Sequence, residues 1–175
     1  MDGGYRALDR LRSEGAIRAI GAGINDLAVC ARLMEAGDFD CFMIPGRFTL
    51  LDQSAAVSFL PECQRRQIGV LIAAPFDSGI LATGAIANST YNYLPAPPQI
   101  LETVRRLQGV CMAHNVPLAA AALQFPLRHP AVSSVVAGMK SAAEVATNVQ
   151  MMNLPIAGTF WRDLLAQGLA RMGTH

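Results

Sequence analysis

The sequence predicts an α/β fold built on a parallel sheet, and three observations carry that prediction. Apolar runs too short for free-standing helices recur along the chain, they alternate with stretches of helical periodicity, and each ends in a glycine or proline. Strands buried on both faces read as continuous apolar runs, and strands alternating with helices imply parallel neighbours joined by right-handed crossovers. The clearest run is Val70-Leu71-Ile72-Ala73-Ala74, bounded by Gly69 and Pro75. After it, Phe76-Asp77-Ser78-Gly79 turn sharply at the C-terminal end of the strand. Loops with exposed amides at that end of a parallel strand are where α/β proteins bind ligands, often phosphates.

Taken in order, residues 4–14 carry Tyr5, Ala7, Leu8 and Leu11 among arginines, an amphipathic helix closed by Gly15. Ile17–Ile24 reads as the first strand. Asp26 is placed to cap a helix over Leu27–Ala36, which Gly37 stops. Phe39–Ile44 is the second strand, broken by Pro45-Gly46, and Ser54 is placed to cap the third helix. The third strand is the run described above. Ala85–Pro98, rich in Asn, Tyr and Pro, predicts a long loop, a kind more often functional than idle. A helix follows over Pro98–His114, and Pro117 opens another of dense Ala and Leu. Val132–Gly138 is the fourth strand, Ser141–Met151 a helix, and Phe160–Met172 a last amphipathic helix.

Composition narrows the function classes. The 175 residues suffice for one domain with a substantial core. Hydrophobic residues make up 52% and charged ones 15%, an apolar balance suggesting surface hidden by a partner. A net charge of +1 without a basic run points away from nucleic acid and anionic membranes. No apolar stretch approaches the ~18–20 residues of a membrane span, and residues 1–15 lack the apolar core of a signal peptide. The cysteines Cys30, Cys41, Cys63 and Cys111 lie far apart with no CxxC, so reduced thiols in a cytoplasmic protein are expected.

Several stretches in the same order, LDRLRSEGAIRAIGAGIN, GRFTLLDQ, GVLIAAPFDSGILATG, NYLPAPPQI, HPAVSSVVAG and FWRDLLAQGL, run almost end to end. Together they resemble the C-terminal half of the aldo-keto reductase superfamily. The resemblance is nearest to its sugar and pyridoxal dehydrogenase branch, the D-threo-aldose (L-fucose) 1-dehydrogenases and pyridoxal 4-dehydrogenase. It implies a partial (β/α)8 barrel in which the four strands stand for the fifth to eighth, as a single half-barrel domain carrying the cofactor-binding loops. It also implies hydride transfer between a nicotinamide cofactor, NAD or NADP, and a sugar or pyridoxal-type carbonyl or alcohol.

The residues implied to hold that cofactor follow from the same match. Asn25 stands where the family contacts the nicotinamide carboxamide, although on the residues alone it also reads as part of a helix cap. Phe48 in GRFTLL is placed to stack on the nicotinamide. Phe76, Ser78, Gly79 and Leu81 match the loop that wraps the pyrophosphate. Gly138, Lys140, Ser141, Glu144 and Asn148 match the adenosine end, with Lys140 also readable as an ordinary solvated lysine. Glu144 near the ribose favours NAD over NADP, while Lys140 argues the other way.

The family's catalytic Asp, Tyr, Lys and His belong to its first four strands and have no match here. His114, His129 and His175 fall at a helix end, an HP turn and the terminus, while Tyr91 and Tyr93 lie in the long loop. The expectation is therefore a half barrel inactive alone that pairs with itself or with a complementary N-terminal half. Two alternatives stand beside it: a non-catalytic dinucleotide-binding or structural half barrel, and a small flavodoxin-like domain.

Overall fold

A computed structural model describes residues 3–171. Helix α1 (Gly4–Ser13) forms where its amphipathic spacing predicts, yet it buries no side chain fully. Tyr5 packs partly buried against the core, its ring 5.3 Å from that of Phe39, and polar contacts add to the hold. Arg12 reaches the Asp38 carbonyl at 3.1 Å and the Asp40 carboxylate at 2.8 Å, and the Tyr5 hydroxyl accepts the Asp38 N–H at 2.7 Å.

Strand β1 is confined to Gly21–Gly23, shorter than the expected Ile17–Ile24. It is an edge strand with a single neighbour, so only residues facing that neighbour join the ladder. Helix α2 (Leu27–Ala36) has the expected bounds, and the Asp26 carboxylate accepts the Ala28 and Val29 N–H groups at 2.9 and 3.1 Å. Strand β2 (Cys41–Pro45) leads to a 3₁₀ turn at Ser54–Ala56 and then to α3 (Phe59–Arg65). Ser54 thus opens the turn rather than capping α3, which Ser58 precedes. Pro61 is tolerated because the first helical turn has no use for its missing N–H.

Strand β3 (Gly69–Ala73) is followed by a one-turn helix α4 (Ile80–Thr83). The expected long loop contains a small antiparallel hairpin, β4 (Thr90–Tyr91) with β5 (Leu94–Pro95). Helices α5 (Pro98–Ala113) and α6 (Leu118–Gln124) lead through a 3₁₀ turn at Pro126–Arg128 to β6 (Val132–Val136). Helices α7 (Ala142–Asn153) and α8 (Gly158–Ala166) follow; α8 ends before Met172, which lies outside the described residues.

The four longer-range strands form one parallel sheet in the order β1-β2-β3-β6. Phe42, Val70 and Val132 lie side by side in register, as do Ile44 and Ile72, and all five side chains are buried. That row packs with Leu60, Leu107, Ala121 and Phe160 in one core beneath the helices. The opposite face carries Gly23, Met43, Leu71 and Ser134 in register, none of them buried. Among the described residues nothing covers it, so the sheet is the open wall of a partial barrel. Burial drives Cys63 up to about 12 and Cys111 to about 11, so these free thiols behave as small apolar side chains. Among the described residues no helix is long and apolar enough to cross a membrane, and no cluster of ligands could hold a metal ion.

Candidate functional site

At the end of β3 the backbone enters the left-handed region repeatedly, at Ala74 (φ 53°), Asp77 (46°), Ser78 (59°) and Gly79 (95°). Only the last of these is a glycine, and side chains rarely adopt such angles without surrounding support. Support comes from Asp77, which is 6% exposed and whose carboxylate accepts the Thr49 hydroxyl at 2.6 Å. Burial pushes the Asp77 carboxyl up to about 7, against the opposing Thr49 hydrogen bond and with help from the charge of Asp52. Tyr91 from the hairpin is raised too, by burial first and then by the charges of Asp77 and Asp52. Arg47 works the other way on Tyr91; it pairs with Asp52 at 3.2 Å and donates to the Asn25 carbonyl at 2.8 Å.

Ser78 joins this turn to the hairpin. Its hydroxyl accepts the Tyr93 N–H at 3.1 Å, and its carbonyl accepts the Thr90 hydroxyl at 3.3 Å. The hydroxyl proton is left to donate elsewhere.

Across from the turn, Ser141 caps α7 by accepting the Glu144 N–H at 3.2 Å, while the Glu144 carboxylate accepts the Lys140 N–H at 2.9 Å. Ser141 followed three residues later by Glu144 is a capping-box spacing. Between turn and helix lies a cleft of about 790 Å³, where Phe76, Gly79, Gly138, Lys140, Glu144 and Asn148 come together. A methyl group placed on Gly79 or Gly138 would meet no protein atom within 4 Å, so both glycines front open space.

The other candidate positions fall elsewhere. Leu81 is fully buried and its N–H already donates to the Phe76 carbonyl at 3.1 Å. Phe48 is 1% exposed with its ring 5.0 Å from that of Phe125 and edge-on to His129. It is a core residue here and not a stacking platform, because the loop after β2 folds its apolar ring inward. Asn25 is exposed and lines a separate cavity of about 360 Å³ with Arg47 and Ser54.

Asp77, Thr49 and Arg47 have no role assigned by sequence, although they lie in the stretches GRFTLLDQ and GVLIAAPFDSGILATG, where polar residues interrupt apolar strand ends; Tyr91 reads only as a residue of the long loop. No tyrosine, lysine and histidine are assembled into one group among the described residues. Lys140, the chain's single lysine, stands at the cleft rim. His114 pairs with Asp163 at 2.6 Å between α5 and α8, and the buried His129 accepts the Ala131 N–H at 3.2 Å. His175 lies outside the described residues.

Parallel βα units whose loops converge at the C-terminal ends of the strands define a barrel-type α/β protein with its ligand cleft on that face. The chain belongs to the aldo/keto reductase family, whose model matches residues 1–165. It is 41% identical over 167 residues to pyridoxal 4-dehydrogenase from Microbacterium luteolum, covering 95% of this chain and 49% of that protein. With D-threo-aldose 1-dehydrogenase from Pseudomonas sp. it shares 36% over 161 residues, covering 91% and 49%. The holo form of aldo-keto reductase AKR11C1 from Bacillus halodurans superposes with a TM-score of 0.76 at 23% identity, over 95% of this chain and 55% of that one. The chain thus spans about half the length of the relatives it matches, and the fold is a partial TIM barrel.

Proposed function

We propose that this chain is the dinucleotide-binding half of an aldo-keto reductase-type oxidoreductase, preferring NAD to NADP. Within a complete barrel it would serve a dehydrogenase of aldoses such as L-fucose or D-threo-aldose, or of pyridoxal. The cleft between the β3 turn and α7 carries this reading: its two glycines front open space, and Lys140, Glu144 and Asn148 stand opposite. The turn around Ser78 and Gly79 takes the pyrophosphate, through an approachable backbone and a free hydroxyl proton. Gly138, Lys140, Ser141, Glu144 and Asn148 surround the adenosine end, and Asn25 meets the carboxamide. When bound, the dinucleotide supplies or accepts the hydride; these residues bind and orient it. Proton transfer needs a tuned Tyr-Lys-His group, so the chain alone binds without turnover. Its uncovered sheet face supports assembly with a second copy or a complementary half, and its buried free thiols support a reducing, cytoplasmic setting.

Calorimetric titration of the 175-residue chain with NADH and NADPH tests the reading. Binding of NADH, tighter than NADPH, is expected; no heat with either at millimolar concentration overturns it. A second reading, a structural half barrel without ligand, is favoured by one observation: Ser141 and Glu144 are already engaged in capping α7. The same titration separates the two.

A further inference from the structure

We propose that Asp77 is a positioning residue whose buried carboxyl, gripped by the Thr49 hydroxyl, locks the left-handed turn Asp77-Ser78-Gly79 and with it the hairpin seated on Ser78. The consequence for a bound phosphate rests on the proposed function; the lock itself does not.

Hydrogen-bond valence fixes the direction of the grip. The Thr49 hydroxyl accepts the Leu51 and Asp52 N–H groups at 3.1 and 3.0 Å, which uses both lone pairs. Its single proton is therefore committed to the Asp77 carboxylate, 2.6 Å away. The loop after β2 passes beside that carboxyl at Gly46, where an added methyl would lie 3.7 Å from the other Asp77 oxygen, an ordinary van der Waals contact. Gly46 sits at φ 63°, so the loop backbone itself favours glycine there. The grip spans two strand ends, since Thr49 follows β2 and Asp77 follows β3.

What the grip holds is a run of backbone that would otherwise relax. Asp77 and Ser78 are both left-handed without being glycine, a conformation that side chains adopt only under surrounding support. The Ser78 N–H finds no protein acceptor among the described residues, and the Ser78 hydroxyl keeps its proton while accepting the Tyr93 N–H. Two donors are thus presented together, and the hairpin is tied to the same residue. Charged and titratable groups around the carboxyl are Asp52 and Arg47 on the β2 loop, paired with each other, and Tyr91 on the hairpin.

Amide exchange on the full chain reads the lock without any ligand. Asp77→Ala and Thr49→Val should speed exchange across residues 77–81 and the hairpin by about ten-fold or more, leaving the central strands β2 and β3 unchanged. Asp77→Asn and Thr49→Ser keep an acceptor and a donor in place and should restore the parent rates. NADH, as the probe, should bind about ten-fold more weakly to the first pair and normally to the second. Unchanged exchange at the turn in D77A and T49V, or equal acceleration throughout the sheet, overturns the lock. Where those variants fail to fold, the parent decides: the Ser78 and Gly79 amide resonances should shift with the Asp77 carboxyl titration at one midpoint. An Asp77 titration that leaves them still also overturns it. Loss of NADH binding in the parent, with the exchange pattern as expected, counts against the proposed function alone.

Discussion

At neutral pH the Asp77 carboxyl stands between its two protonation states, because burial lifts it to about 7. Its folded-state value thus lies above the ordinary carboxylate value, so the folded protein holds the proton more tightly than the unfolded chain. The resulting stability is complete below the ordinary value and is lost as pH rises through about 7. Unfolding free energies from urea titrations across that window should fall for the parent and stay level for Asp77→Asn, a difference of a few kcal/mol at most. A parallel decline in both proteins would assign the dependence to other groups. Glu144 invites a second test, because it approaches a ribose in the proposed reading. Glu144→Gln keeps an acceptor for the Lys140 N–H but removes the charge, so the preference for NADH over NADPH should narrow roughly three- to ten-fold. An unchanged ratio of the two dissociation constants would remove Glu144 from cofactor choice.

Among the elements, α1 is held differently from the rest. With Tyr5 as its partly buried contact and no fully buried side chain, it is tied down by Arg12, which bridges Asp9, Asp38 and Asp40. The Ile20 N–H first and then Arg12 keep the Asp40 carboxyl below its ordinary range. A depressed carboxyl gives stability that is present above the ordinary value and lost as pH falls through the folded one. Arg12→Ala should therefore loosen α1 and the Ile20 amide selectively, as read by faster amide exchange confined to them; uniform loosening would contradict a local tether. The opposite case is α4, a single turn ended by Gly84 at φ 83°, where any side chain would also strike Gln108. Gly84→Ala should lower the thermal midpoint and release the Ala85 N–H from Gln108, which now accepts it at 3.3 Å. The hairpin of β4 and β5 escaped sequence reading because its strands are two residues each, too short for any periodicity.

For the whole molecule, the uncovered sheet face and two edge strands dominate behaviour. Strands β1 and β6 each have one neighbour, and Val136, Met139, Val145 and Val149 are exposed on the β6 side. Unpaired strand edges beside apolar surface recruit partners. Sedimentation at low micromolar concentration is expected to show dimers or larger species; a stable 18.6 kDa monomer would mean that the edges are tolerated in water. Purified chain is also expected to show no turnover of L-fucose, galactose or pyridoxal with NAD or NADP. Activity abolished by changing Asn25 or Ser78 would overturn that expectation.

The order of strands and helices and the parallel sheet are legible in the residues alone, because short apolar runs and helical periodicity leave direct marks in composition. Caps such as Asp26 and turn formers such as Pro75 set the element ends within a few residues, since they act on their own neighbours. The sequence also brought the cleft within reach, through residues resembling a known cofactor loop. Which of those residues meet is set by the packing of the loops. Phe48 went to the core, Leu81 beneath the turn and Asn25 to another cavity, because these outcomes depend on how loops from different strands pack. The Thr49–Asp77 grip was invisible for the same reason: its partners lie 28 residues apart, and no local rule couples a threonine after one strand to an aspartate after the next.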